Sequence, residues 1–167
     1  ALAARRAIGP QRGVPPYQDG RTGPRTGTSV RVAILGDSVA AGLGADSAAD
    51  TVGGVLARGI TAATGRPVSL INHAVVGARS ADLERQVVRC LAVRPHVAVI
   101  IIGANDVTHL VPRERAAEQL LLAVTTLRAT GSQVVVVRCP GPGTSRPRPG
   151  CRHAGARRNA ARVVQAP

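Results

Sequence analysis

This chain of 167 residues has no Phe, no Trp, no Met and one Tyr, and its 22 basic side chains are all Arg, with no Lys. Without aromatics, a core must be assembled from Val, Leu, Ile and Ala, which the 44% hydrophobic content allows. The length suits one domain with a real core. The same lack of aromatics removes the platforms on which nucleic-acid bases stack. A formal charge of +13 would otherwise invite a nucleic-acid partner. The arginines are spread along the chain with a heavier share in the two tails, and the Ala/Arg/Gly/Pro excess reads as coding bias, so no nucleic-acid partner is expected. A basic surface-associating protein ranks last among the readings; its binding would be steeply salt-dependent.

Cysteine is scarce: Cys90, Cys139 and Cys151, an odd number with no C-x-x-C spacing. That argues against a disulfide framework or a zinc site. Buried or free thiols are expected, with a Cys139–Cys151 pair as the alternative. No apolar run reaches the roughly 18 residues needed to span a bilayer. No signal peptide is visible, but the chain opens on Ala1, so this says little about compartment. No fixed-period repeat occurs. Carboxylates run out early: Glu118 is the last acidic residue.

Against these absences stands a regular alternation. Residues 1–29 are rich in Gly, Pro and Arg and read as an extended lead-in without a core face. From 30 to 139 a partial α/β domain follows. Val30–Leu35, 67–72, 96–103 and 133–139 read as strands. Residues 50–65, with Asp50 as possible N-cap, 80–92, with Ser80 as cap, and 112–131, opening on Pro112 and closing on Gly131, read as helices. The order β-α-β-α-β-α-β with short links predicts an open, mostly parallel, doubly wound sheet. Ligands in such sheets bind beyond the carboxyl ends of the strands. Residues 140–167 form a Pro/Gly/Arg-rich basic tail, with 157–166 as a candidate short helix.

Three strand ends carry chemistry. The first strand runs into Gly36-Asp37-Ser38, the second leads through Asn72 to Gly77, and the third ends in Gly103-Ala104-Asn105-Asp106. Parallel neighbours would bring all three to one rim. A hydroxyl facing preformed donors is what acyl transfer requires. Ser38 can attack a carbonyl. The N–H groups of Ser38 and Gly77 and the Asn105 carboxamide can hold the oxyanion. The bland readings are a helix-capping Ser38, a turn Gly77 and a turn Asn105.

These blocks, "GDS" at 36–38, the glycine of "NHAVVGARS" at 72–80 and "GAND" at 103–106, resemble three of the four sequence blocks of the SGNH (GDSL-type) hydrolases. The wording is close to actinobacterial members. The resemblance covers about residues 30–139. It implies a flavodoxin-like three-layer α/β/α sandwich and an esterase, lipase or related acyl hydrolase acting on small acyl or acetyl esters, with no metal and no cofactor. It implies Ser38 as nucleophile and Gly77 and Asn105 in the oxyanion hole, with Gly36, Asp37, Gly103 and Asp106 supporting the loops. The alternative is a non-catalytic remnant or ligand-binding module on the same fold. A bacterial source is implied, with secretion or membrane tethering only if a further segment precedes Ala1.

The family's fourth block, a late Asp-x-x-His supplying the general base, is read as absent from the whole sequence, and no carboxylate follows Glu118. The general base is therefore unassigned. His73 reads as a loop or packing residue, His96 as a structural residue at the opposite edge, His109 as part of the GAND loop, and His153 follows Gly150 rather than an Asp by three positions. The composition shifts abruptly after Cys139, and the expectation is a chain cut short or frame-shifted at a point the residues do not fix, missing the last strand and helix. Strand four, with Val134–Val137, would then be an exposed apolar edge prone to aggregation.

Overall fold

The computed structural model describes residues 15–138. Five strands form one sheet: β1 (Gly20–Thr22), β2 (Val30–Gly36), β3 (Val68–Asn72), β4 (Val97–Ile102) and β5 (Gln133–Arg138). Their spatial order is β1-β3-β2-β4-β5. β3, β2, β4 and β5 pair in parallel, and β1 joins β3 antiparallel. Four helices accompany the sheet: α1 (Val52–Thr64), α2 (Leu83–Val93), the short α3 (Ala104–Thr108) and α4 (Arg113–Ala129). The expected α/β architecture with a mostly parallel sheet is present.

The strands are continuous apolar runs because both faces are covered. Alternate residues along β2 and β4 serve two separate cores. Ala33, Leu35, Ala98, Ile100 and Ile102 meet Leu83, Val87 and Cys90 of α2 and Ala123 and Leu127 of α4. On the other face Val32, Ile34, Val99 and Ile101 join Val68 and Leu70, closed by Ala57, Leu56 and Ile60 of α1. Cys90 is a free, buried thiol whose pKa burial pushes up to about 11. Cys139 and Cys151 lie outside the described residues.

Several local expectations are corrected. The N-cap of α1 is Thr51, not Asp50: Thr51 Oγ1 accepts from Gly54 N–H at 3.1 Å, while Asp50 accepts from Ser47 Oγ. Ser80 does not cap α2; it opens a 3-10 turn, Ser80–Asp82, ahead of the helix. Residues 18–22, expected to have no core face, do pack on the domain: Gln18 is buried, its Nε2 donating to the Ala41 carbonyl, and β1 pairs with β3. A three-residue strand opening on glycine shows no period for a reader to detect. β5 is the outermost strand among the described residues, and its Val134–Val137 side chains are half-buried, Val134 packing on one core and Val135 and Val137 on the other. No helix among the described residues is long and apolar enough to cross a membrane.

Candidate active site

β2 is central, with β3 on one side and β4 on the other, so its carboxyl end is the point where the strand order reverses. Gly36 closes β2 with φ +138°, and a Cβ there would overlap the Ile101 carbonyl of β4. Only glycine allows that approach and that backbone. Its N–H donates to Gln86 Oε1 at 2.7 Å, and its carbonyl accepts from Gln86 Nε2 at 3.0 Å and Val75 N–H at 3.1 Å. Asp37 follows, with its N–H on the Ile101 carbonyl. Asp37 Oδ1 accepts from Val39 N–H at 3.0 Å, while Oδ2 is buried without a partner among the described residues. Burial raises the Asp37 pKa, the Val39 and Ala104 amides oppose this, and the Asp106 charge adds to it. Ser38 begins a run of turns over 38–44 and is half-buried; its carbonyl accepts from Leu43 N–H.

The loop after β3 is tied to the same rim. His73 N–H donates to the Ile34 carbonyl, and Asn72 Nδ2 donates to Ala40 O at 2.8 Å. Asn72 Oδ1 in turn accepts from Ala74 N–H. Gly77 has φ +85° and is exposed, and a Cβ there would meet nothing within 4 Å. The glycine is therefore required by the left-handed backbone rather than by crowding.

The loop after β4 completes the set. Gly103, φ +125°, turns the chain into α3. Asn105 Nδ2 donates to the Ala78 carbonyl at 3.0 Å, which holds its carboxamide against the Gly77 loop and leaves a second amide hydrogen for another acceptor. Asp106 is buried and receives three hydrogen bonds from Ser80: the N–H to Oδ1 at 3.0 Å and to Oδ2 at 3.2 Å, and Oγ to Oδ2 at 2.7 Å. That duty explains why Ser80 is unavailable as a cap.

The histidines fall into different roles. His96 lies at the amino end of β4, where Nδ1 accepts from Arg31 N–H at 2.9 Å. His73 is half-buried; burial and the Arg89 charge lower its pKa against the pull of Asp19. The expectation that no Asp-x-x-His occurs is corrected: Asp106 and His109 stand at that spacing, though no hydrogen bond joins them. Asp106 is occupied by Ser80, and His109 Nδ1 lies 2.8 Å from the Asn105 carbonyl. A carbonyl only accepts, so in this contact Nδ1 is the donor. His153 lies outside the described residues. Two contributors were missed from sequence, Gln86 and Ser80. Gln86 occupies a buried position beside Leu83, Val87 and Cys90 on the inner face of α2, and a polar residue in that stripe was the available signal.

The GDSL-like Lipase/Acylhydrolase family profile matches residues 34–166. The GDSL-like esterase Rv1075c of Mycobacterium tuberculosis (strain ATCC 25618 / H37Rv) is 41% identical over 124 residues. The match covers 72% of this chain and 40% of that esterase, so the chain spans two fifths of its relative's length. Among solved structures, TesA superposes with a TM-score of 0.56 at 27% identity, over 64% of this chain and 58% of TesA. AlinE4, an SGNH-hydrolase family esterase, superposes with a TM-score of 0.58 at 23% identity, over 66% and 59% of the two chains, a likeness of fold. A profile running from the middle of β2 past the end of β5, a relative of this identity and a shared α/β/α fold lead to one assignment: the chain belongs to the GDSL-like lipase/acylhydrolase family.

Proposed function

We propose that the chain is a serine ester hydrolase acting on small acyl or acetyl esters. In this reading Ser38 Oγ attacks the ester carbonyl. The oxyanion is held by the N–H groups of Ser38 and Gly77 and by the free amide hydrogen of Asn105. The alkoxide leaves with a proton, and water then cleaves the acyl-serine, releasing the acid and restoring the hydroxyl. Gly36, Asp37, Gly103 and Asp106 hold the loops. The observation that carries the reading is the Asn105 Nδ2 bond to Ala78 O, which supports bringing the third loop against the second beside the end of β2. The general base is left unassigned.

The test is hydrolysis of a short-chain chromogenic ester. Ser38→Ala is expected to reduce the rate to that of the ester in buffer. Equal rates for the two proteins would overturn the assignment. The unpaired Asp106 and His109 favour the second reading, a ligand-binding module on the same fold. That reading predicts ligand protection without turnover and no fluorophosphonate labelling at Ser38; labelling would count against it.

A further inference from the structure

Beside α3 lies a cavity of about 300 Å³, walled by the 3-10 turn at Ser80, by residues 109–112 and by the first turns of α4. Two arginines line it from different elements, Arg79 before the turn and Arg115 on α4, together with His109. Against these two cations its wall carries one carboxylate, Asp106, which is buried and takes three hydrogen bonds from Ser80. The cavity is therefore positively biased, and its two arginines offer planar, multiply donating heads suited to a carboxylate or phosphate.

A second observation points the same way. Leu110, at the cavity rim, has φ +54° and is 88% exposed. It sits where a helix-ending motif ordinarily places glycine: its N–H bonds to Val107 O and the next N–H, of Val111, to Asp106 O. An exposed leucine held in a left-handed conformation has an unfavourable backbone and gains nothing from burial, a combination found where a side chain is kept for contact with a ligand. It would meet the hydrocarbon part of a molecule whose anionic group lies between the arginines.

We propose that the cavity between Arg79 and Arg115 receives a carboxylate or phosphate carried by the ester substrate, making the chain selective for anionic over neutral esters. This rests on the esterase reading: Asp106 and His109, which line the cavity, follow Asn105 on the same segment.

The test uses two 4-nitrophenyl esters of equal acyl length, the butyrate and the hemisuccinate. Wild type is expected to show a kcat/KM about tenfold higher for the hemisuccinate at low salt, shrinking at high salt. Arg79→Gln/Arg115→Gln is expected to lose that advantage, with butyrate hydrolysis changed less than about twofold, since a neutral acyl group forms no charge-assisted bond. Equal rates on the two esters in wild type, or a preference surviving in the double variant, would overturn the proposal. Should Ser38→Ala hydrolyse both esters like wild type, the esterase reading fails separately. The cavity is then judged by equilibrium dialysis of labelled monomethyl succinate with the Ser38→Ala protein. Retention that is lost with Arg79→Gln/Arg115→Gln supports the anion site, and no retention overturns it.

Discussion

Asp37 and His73 show how burial acts on single groups at this rim. Burial raises the Asp37 pKa above its ordinary value near 3.8. Between that value and the raised one the native state keeps a proton the unfolded chain has released, so stability falls as pH rises through the window. His73 has the opposite sign. Its pKa lies below 6.5, so on acidification the unfolded chain gains a proton the native state refuses, and stability falls as pH drops below about 6.5. Thermal melts across this range should therefore show the Tm of Asp37→Asn improving relative to wild type as pH rises from the ordinary carboxylate range. His73→Asn should blunt the acid-side loss. Parallel curves for variant and wild type would contradict either assignment. The motif residue Asp37 was visible in the sequence, but its unpartnered Oδ2 was not, because its surroundings include Ala104 and Asp106 of α3, more than 60 residues away along the chain.

Among the elements, α2 does more than cover the sheet. Its inner stripe of Leu83, Val87 and Cys90 was legible as a helical face, and Gln86 lies in that stripe. Gln86 answers both the N–H and the carbonyl of Gly36, the last residue before Asp37 and Ser38. Gln86→Leu keeps the apolar volume but orphans the buried Gly36 N–H. The expected cost is about 2 kcal/mol in denaturant unfolding, with a parallel loss of ester hydrolysis. A change under about 0.5 kcal/mol would show that the pair does not support the loop. Helix starts were the least legible features. Asp50 and Thr51 are both capping types, and Thr51 wins because its hydroxyl reaches Gly54 N–H whereas Asp50 is drawn to Ser47.

For the molecule as a whole, the sheet separates two cores. Ile34 points into the core under α1 and Ile100 into the core under α2 and α4. With no shared partners, Ile34→Val and Ile100→Val should each cost roughly 0.5–1.5 kcal/mol and add within about 0.5 kcal/mol. A coupling above about 1 kcal/mol would mean that the two faces pack as one unit. Far-UV circular dichroism suits the measurement, since the chain has no Trp and its single Tyr, Tyr17, is 81% exposed. The charge is unevenly placed as well: all nine carboxylates fall within residues 15–138.

Read alone, the residues determined the alternating elements, the parallel sheet and the three motif-bearing strand ends, because period, apolar runs and glycine placement are local properties. The tertiary structure alone decided that β1 would join the edge, that Ser80 would serve Asp106 rather than a helix, and that Asp106 and His109, three residues apart, would face different partners. Those outcomes depend on which donors and acceptors distant strands bring within hydrogen-bond reach, and sequence spacing carries no such distance.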